Sequence, residues 1–200
     1  MLHVRPSDYR VMPWKDGGGS TTEIAIEPAG SSLSDPFLWR ASMARVEASG
    51  PFSRFPGYER SLVLLEGAGL LLDIEDKGRQ RLKPTGQPVV FSGDDAVSAT
   101  LIQGPCVDFG VISDPRRVQA TLQWLTVGPD AISLTLGAAT LLFAPRGAVQ
   151  VDPLGVQLDP MDALRLGGAS AEPALGIGSK IGVRAPMAGT PLVVVTFQPV

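Results

Sequence analysis

The side chains of this 200-residue chain that could bind or act on a small molecule are arginines, carboxylates and hydroxyls. Histidine and cysteine are almost absent, because His3 is the only histidine and Cys106 is the only cysteine. A cysteine nucleophile needs a basic partner, and His3 is the only imidazole that could serve as one. Cys106 lies in an apolar run, where a free cysteine is most often a small buried hydrophobe. Any chemistry in this chain therefore depends on arginine and its acidic partners.

Arg40 and Ser42 lie in an apolar run at residues 38–46 that predicts a β-strand. Because side chains alternate across a strand, Arg40, Ser42 and Ala44 share one face, and the residues between them share the other. An arginine, a serine and a small alanine on one face suit the wall of a polar cavity with room for a ligand. The same pattern also fits a solvated face with an ordinary surface arginine.

Arg60 begins the next long strand pattern and shares its face with Leu62 and Leu64. A guanidinium on an otherwise apolar face needs an anionic partner. That partner is either an internal carboxylate or the carboxylate of a ligand, and the sequence leaves both alternatives open. The internal candidates are Glu23, Glu59 and Asp108.

Two further polar segments carry little chemistry of their own. Residues 50–57 form a rigid loop that holds Ser53 between two phenylalanines, and no His or Lys base lies nearby in the sequence to activate its hydroxyl. Residues 17–22, GGGSTT, lack the Walker spacing and its lysine, and a strand follows them where a phosphate-binding loop needs a helix. We therefore expect no serine nucleophile, and we interpret the glycine segment as a backbone loop at the mouth of a pocket.

The elements that would position these residues are short strands. The chain has 23 Gly and 18 Pro, which is ordinary for an all-β protein and high for a helical one. The runs at residues 60–66 and 70–74 flank Gly67-Ala68-Gly69 and predict a β-hairpin. Only residues 116–125 have any helical character. Further strand patterns cover residues 21–27, 38–46, 88–91, 97–102 and 107–112.

The second half of the chain repeats the order of runs and turns in the first half. Apolar runs flank a glycine turn at Gly67, and a similar pair of runs flanks Gly147. We therefore predict an all-β fold with two barrels in one chain. The N-terminal barrel covers residues 1–112 and holds the candidate ligand pocket, and a degenerate barrel covers residues 113–200.

The charge and hydropathy of the chain exclude several classes of partner. The formal net charge is -3, and the basic residues are scattered without forming a stripe, which argues against a nucleic-acid partner. The N-terminus has no apolar signal-like core, and no run approaches the ~18 apolar residues of a membrane span. We expect a cytoplasmic protein with no nucleic-acid or membrane partner.

The spacing of the turns resembles that of a cupin barrel, which is a double-stranded β-helix or jelly roll. Divalent metals in such sites are bound by imidazole and carboxylate groups. The positions at which a cupin has these ligands hold Ser53, Phe55, Arg60 and Ala96. An arginine in place of the carboxylate favours an anion, so we predict that the chain has no metal and no cofactor.

Two longer motifs are more specific. They are WKDGGGSTTE at residues 14–23 and WRASMARVEASGPFSRFPGYER at residues 39–60. Together with Gly67 and Asp108-Phe109, they resemble the HutD/Ves family over about residues 10–112. The resemblance implies a bicupin fold, an association with histidine utilisation and a role as a regulator that binds a small acid. Three positions depart from the family pattern, and they are Asp16, Glu59 and Gly110, which replace Asn, Asp and Asn.

We therefore expect non-catalytic binding of a small carboxylate metabolite in the N-terminal barrel. The link to histidine utilisation rests on the resemblance alone. The resemblance is also compatible with a homodimer that forms through edge strands. The predicted ligand-binding residues are Arg40, Ser42, Ser53, Arg60, Glu23 and Asp108.

Two alternatives remain open. One is a metal-independent isomerase or lyase of the cupin type, with Glu23 or Asp108 as the base and Arg40 or Arg60 bound to the substrate acid. The other is a scaffold whose interior is simply packed. An open, polar-lined cavity would separate the scaffold from the other two functions.

Overall fold

The computed structural model describes residues 1–84, 86–167 and 175–200. Its regular structure is almost entirely β-strand, so the all-β prediction is confirmed, and a short 3-10 helix covers Pro6–Asp8. None of the helices in the described residues is long and apolar enough to cross a bilayer. The first strands are β1 (Leu2–Val4), β2 (Arg10–Pro13), β3 (Gly19–Glu27), β4 (Trp39–Val46), β5 (Gly50–Pro51), β6 (Glu59–Glu66), β7 (Leu70–Ile74), β8 (Gly78–Leu82), β9 (Val89–Ser92) and β10 (Val97–Leu101). The later strands are β11 (Cys106–Ser113), β12 (Val118–Val127), β13 (Ile132–Thr135), β14 (Ala139–Phe143), β15 (Val149–Asp152), β16 (Val156–Leu158), β17 (Ala163–Gly167), β18 (Lys180–Arg184) and β19 (Thr190–Pro199).

The N-terminal unit comprises Tyr9–Gln119 and Val200. Its larger sheet has the strand order β2-β3-β4-β11-β6-β9, and its smaller sheet has the order β5-β10-β7-β8. Alternating apolar residues of β6 and β7 pack together in a buried cluster that includes Leu62, Leu64, Leu70 and Leu72. Full burial of each leucine contributes about 1.5–3 kcal/mol to stability. The cluster therefore stabilises the sheet in which β4, β6 and β11 carry their polar residues.

The C-terminal unit comprises Met1–Asp8 and Ala120–Pro199. Its larger sheet has the order β1-β17-β14-β19-β12, and its smaller sheet has the order β13-β18-β15-β16. A continuous apolar cluster joins residues of both sheets, among them Leu142, Val149, Leu164 and Val183. This cluster is therefore built from aliphatic side chains.

The same strand order occurs in both units. The series β4-β11-β6-β9 and β5-β10-β7-β8 in the N-terminal unit correspond to β12-β19-β14-β17 and β13-β18-β15-β16 in the C-terminal unit. Adding eight to each strand number of the first set gives the second set. In the described residues the strand pairing forms four separate sheets and closes none of them into a continuous barrel.

The predicted hairpin at residues 60–74 is wrong in its pairing, although both of its strands are present. β6 belongs to the larger sheet and β7 to the smaller one, so the turn between them carries the chain from one sheet to the other. Gly67 has φ +101°, and a Cβ atom at this position would lie 2.7 Å from Cys106 Cβ. Glycine is therefore required at this corner. The corresponding strands β14 and β15 are also divided between two sheets.

The helical character predicted at residues 116–125 is wrong as well. Val118–Val127 form β12, an edge strand of the five-stranded sheet. Gln119, Thr121 and Gln123 are exposed, and the residues between them are buried or half-buried. This alternation with a period of two identifies a strand.

Candidate functional site

A cavity of about 440 Å³ lies in the N-terminal unit, on the face of the larger sheet that carries Arg40 and Arg60. Its volume is within the range of pockets that hold small molecules. Its polar lining comprises Lys15, Asp16, Thr21, Arg40, Ser42, Ser53, Arg60 and Asp108. The apolar lining includes Trp14, Leu33, Phe52, Phe55, Leu62 and Ile112.

Strand register explains why these side chains converge. Asp108, Gly110 and Ile112 project from the same face of β11, because they are two residues apart. Their partners on β4 and β6 complete three rows across the sheet, which are Arg40–Ile112–Arg60, Ser42–Gly110–Leu62 and Ala44–Asp108–Leu64. The backbone positions of Arg40 and Arg60 therefore lie at one end of the cavity floor. Asp108 lies at the other end, four residues away from Ile112 along β11.

Gly110 is the smallest residue of the middle row. It lies between Ser42 and Leu62 and adds no side chain to the cavity floor. A Cβ atom at this position would lie 2.8 Å from Leu62 Cδ2. Leu62 therefore occupies the place that a side chain at residue 110 would take, where the HutD/Ves pattern has asparagine.

Arg40 is held by Glu23 from the neighbouring strand. Arg40 Nε donates a hydrogen bond to Glu23 Oε2 at 2.7 Å, and the two side chains are only 4% and 16% exposed. A β-bulge between Glu23 and Ala25 sets Glu23 opposite Ser42, on the face that also carries Arg40. Within the described residues, Arg40 Nη2 remains buried without a hydrogen-bond partner. Glu23 therefore balances the charge of Arg40 and leaves one of its donors free.

The guanidinium of Arg60 lies among three phenylalanine rings. Its Cζ atom is 5.1 Å from the ring centroids of Phe52 and Phe91 and 5.4 Å from that of Phe55. Cation–π attraction stabilises the charge in this partly dry environment. Arg60 Nη1 donates to the Ser53 carbonyl oxygen at 2.9 Å. In the part of the chain that the structure describes, Arg60 Nε is buried with no hydrogen-bond partner.

The electrostatic state of Arg60 is set mainly by burial. Burial lowers its pKa to about 10, Asp108 opposes this shift, and Arg40 adds to it. Arg60 therefore remains a cation at neutral pH. Of the internal carboxylates considered from the sequence, Glu23 is bonded to Arg40, and Asp108 acts on Arg60 through its charge.

Asp108 is the buried acid of the cavity. It is 2% exposed, and its Oδ2 atom has no hydrogen-bond partner among the described residues. Burial raises the pKa of Asp108 to about 7, against the opposing effect of Arg60. Both protonation states of Asp108 are therefore accessible close to neutral pH.

The loop at residues 50–57 is fixed by backbone hydrogen bonds. Phe52 N donates to Val97 O at 2.8 Å, and Phe55 N donates to Gly93 O at 2.8 Å. A Cβ atom on Gly93 would lie 2.1 Å from Phe55 O, so the two chain segments can approach each other only because residue 93 is glycine. These contacts hold two of the rings that surround Arg60.

Gly93→Ala is expected to displace this loop and to lower the free energy of unfolding by about 1–3 kcal/mol, which is typical of overpacking. Urea unfolding measures the change. Gly50→Ala is the matched control in the same loop, because a Cβ atom there would meet nothing within 4 Å. Equal stability of the two variants would show that the loop moves aside at no cost.

The turn between β2 and β3 forms one side of the cavity mouth. Trp14 N donates to Gly19 O at 2.9 Å, and the Trp14 indole Nε1 donates to Thr21 Oγ1 at 2.8 Å. Lys15 and Asp16 are exposed beside this tryptophan. The glycine segment therefore makes the turn that places Trp14 on the cavity.

Five of the six predicted site residues line the cavity, and Glu23 is the exception. Glu23 contacts Arg40, and exposed Ser53 supplies its carbonyl oxygen to Arg60. The sequence did not predict the aromatic cage of Arg60 or the packing of Leu62 over Gly110. The available signal for the cage was the pair Phe52 and Phe55 in the loop that precedes Arg60.

The described residues hold neither a cluster of metal ligands nor a reactive thiol. They contain no group of three or more His, Cys, Asp or Glu side chains that could hold a metal ion. In the C-terminal unit, His3 Nε2 lies 2.8 Å from Asp162 Oδ2. Burial raises the pKa of the Cys106 thiol to about 11, and Asp108 adds to the shift, so this thiol remains protonated at neutral pH.

The C-terminal unit has a second cavity of about 330 Å³, lined by Gln150, Gln157, Arg184 and four small or proline residues. Its arginine donates through Nε to Asp152 Oδ2 at 2.9 Å, and both side chains are more than 40% exposed. This cavity therefore has no counterpart of the buried arginines in the N-terminal unit.

The fold places the chain in a known class of proteins. The oxalate decarboxylase–formate complex from Lactobacillus farciminis matches it with a TM-score of 0.65 and 8% sequence identity, over 100% of this chain and 87% of that chain. At this identity the likeness shows the fold alone, and the class is that of cupin-like all-β proteins.

The family follows from closer matches. The HutD family profile matches residues 6–180, and the chain belongs to the HutD family. The chain is 39% identical over 170 residues to a 21.2 kDa protein in the hutC 3′ region of Pseudomonas putida. The aligned segment covers 82% of this chain and 86% of that protein. HutD from Pseudomonas fluorescens SBW25 matches with a TM-score of 0.81 and 35% identity, over 100% of this chain and 98% of that chain. The resemblance to the HutD/Ves family is confirmed.

Proposed function

We propose that the cavity of the N-terminal unit binds a small carboxylate metabolite without converting it, and that the chain is a regulator linked to histidine utilisation. The proposal depends on one observation: two arginines that line the same cavity each have a buried N–H group without a partner, on Arg40 Nη2 and Arg60 Nε. Each such group costs about 1–3 kcal/mol when it is left unpaired. A carboxylate has enough lone pairs to accept hydrogen bonds from both.

The surroundings favour an anion that is partly removed from water. Phe52, Phe55 and Ile112 form apolar walls beside the arginines. A hydrogen bond between a guanidinium and a carboxylate is charge-assisted, and it is stronger where little water competes. Ser42 lies on the same face as Arg40 and offers a hydroxyl that can donate to the same ligand.

The relatives support the link to histidine utilisation. A structure of HutD from Pseudomonas fluorescens was determined in a formate condition, and formate, the smallest carboxylate, is therefore the first probe to test. The Pseudomonas putida relative lies in the hutC 3′ region. A regulator of this kind needs a ligand that reports on the pathway, and a carboxylate metabolite is one that the cavity can recognise.

We also propose the architecture and setting in which this site works. The chain forms two cupin-like barrels, predicted at residues 1–112 and 113–200 and supported by the matching strand order of the two units, whose own bounds group Met1–Asp8 with the C-terminal strands. It works in the cytoplasm without a cofactor, it does not bind nucleic acid or membranes, and it can form a homodimer through an edge strand.

A second candidate function is a metal-independent isomerase or lyase. The observation that favours it is Asp108, a buried acid in the cavity whose pKa burial raises to about 7. A carboxyl group with such a pKa can take up and return a proton near neutral pH. Incubating candidate acids with the protein and following loss of substrate by NMR tests this function, and Asp108→Asn should stop any turnover.

Arg60→Ala is expected to weaken binding of the carboxylate by about tenfold to a hundredfold. The loss of one charge-assisted hydrogen bond corresponds to about 1.5–3 kcal/mol. The measurement is a thermal-shift screen with formate and other small mono- and dicarboxylates, followed by calorimetric titration of those that raise Tm. Arg79→Ala is the control, because Arg79 lies in the same unit and its side chain is 70% exposed.

If Arg60→Ala folds like the wild type and binds the same acid with unchanged affinity, the carboxylate site lies elsewhere. If no carboxylate stabilises the wild-type protein, the proposed function itself is wrong. If the acid binds to the wild type and is also consumed, the second candidate function replaces the first.

A further inference from the structure

We propose that the ligand of this cavity is a zwitterion, in which the carboxylate binds Arg40 and Arg60 and a cationic nitrogen binds Asp108. The inference rests on the proposed carboxylate site and adds a second recognition group to it. The observation behind it is Asp108 Oδ2, an acceptor that is buried and lacks a partner among the described residues. A site with two unpaired donors and one unpaired acceptor is complementary to a ligand that carries both kinds of group.

The balance of charge points to the same ligand. Arg40 is compensated by Glu23, which leaves Arg60 and, once it is ionised above about pH 7, Asp108 as the remaining charges of opposite sign in the cavity. A simple monoanion would add a net negative charge to this compensated set, and an uncompensated buried charge is costly. A zwitterion adds one charge of each sign and leaves the cavity neutral. Lys15 and Asp16 do not change this balance, because they are exposed and opposite in sign.

The rows of the sheet separate the two recognition groups. The arginines flank Ile112, and Asp108 lies four residues along the same strand, which is a backbone distance of about 13 Å. The long arginine side chains cover part of this distance, and the charges of Arg60 and Asp108 influence each other. Ser42, Gly110 and Leu62 line the cavity between these rows, and the carbon skeleton of a short ligand can lie there.

The apolar walls make the recognition of charge more selective. Trp14, Phe52 and Phe55 line the cavity beside the polar groups. They exclude water from one side of the ligand, so that each charge pair interacts more strongly than it would in solution. A ligand that leaves Asp108 unsatisfied loses one of these interactions, and it also leaves the buried carboxyl unpaired.

Two matched series of ligands test the inference by calorimetric titration at pH 8. The first series runs from glycine to 6-aminohexanoate, and the second contains the corresponding carboxylates without the amino group, from acetate to hexanoate. Phenylalanine and 3-phenylpropionate form an aromatic pair. We expect at least one amino compound to bind tenfold or more tightly than its partner, and the best chain length measures the separation of the two groups.

Asp108→Asn assigns the effect to this residue. The amide keeps the shape of the side chain and removes its charge, so the preference for the amino compound should disappear, while Asp76→Asn at an exposed turn should leave it intact. If the amino compounds bind no more tightly than their partners, the zwitterion inference is wrong and the carboxylate site stands. If the preference persists in Asp108→Asn, the nitrogen binds elsewhere and the inference is also wrong. If neither series nor the aromatic pair binds, the inference and the proposed function fall together.

Discussion

Replacing Asp108 with asparagine is expected to remove a pH-dependent loss of stability that amounts to about 4 kcal/mol in the wild-type protein. Burial raises the pKa of Asp108 from 3.8 in the unfolded chain to about 7 in the folded one. Between these values the folded state binds one proton more than the unfolded state, so the free energy of unfolding falls as pH rises. The contribution of Asp108 to the free energy of unfolding is therefore greatest below about pH 4. It falls by about 1.4 kcal/mol per pH unit and is lost by about pH 7.

The measurement is urea unfolding of the wild type and Asp108→Asn at several pH values between 4 and 8. The difference in stability between the two proteins should shift in favour of the variant as pH increases. Asp76→Asn, which removes a charge at an exposed position, controls for the loss of one negative charge. Parallel pH profiles of the wild type and Asp108→Asn would show that the folded protein does not hold this carboxyl in its protonated form.

The faces of single strands could be predicted from the sequence. A period of two was enough to set Arg40, Ser42 and Ala44 on one side of β4, and all three line the cavity. Burial on a pleated strand follows directly from the alternation of side chains. The same argument put Arg60 on the face of Leu62 and Leu64, which belong to the buried cluster of the N-terminal unit.

The partners of these side chains could not be predicted in the same way. Glu23 contacts Arg40 because a β-bulge shifts the register of β3 against β4. A bulge adds one residue to one strand, and nothing in the local pattern of β3 marks its position. The three-ring environment of Arg60 also depends on distant segments, since Phe91 is brought beside it by the pairing of β6 with β9.

The connections between strands were the least visible part of the fold. Two apolar runs joined by Gly67-Ala68-Gly69 suggested a hairpin, yet the turn is a corner between two sheets. Both solutions use glycine and alternating strands, so the choice depends on which sheet offers a partner. Leu2–Val4 pair with residues 163–165, and a pairing so distant in sequence leaves no local signal.

Arg40→Ala is expected to lower the free energy of unfolding of the ligand-free protein by about 3 kcal/mol, because it leaves the carboxylate of Glu23 without its partner. Removal of one member of a buried ion pair typically costs about 3–5 kcal/mol, and the 16% exposure of Glu23 places the effect at the lower end. Glu23→Gln alone should also destabilise the protein, since it removes the charge that balances a nearly buried arginine. The double variant should be more stable than the sum of the two single changes predicts.

Arg45 and Glu47 provide the matched control for this cycle. They form the same kind of contact, with Arg45 Nε 2.8 Å from Glu47 Oε1, but their side chains are 56% and 47% exposed. Solvent screens such a pair, and Arg45→Ala should cost less than about 1 kcal/mol. For each pair, urea unfolding of the wild type, the two single variants and the double variant gives one coupling energy. If the coupling between Arg40 and Glu23 is no larger than that between Arg45 and Glu47, Glu23 does not hold Arg40, and the charge of Arg40 is left for a ligand to balance.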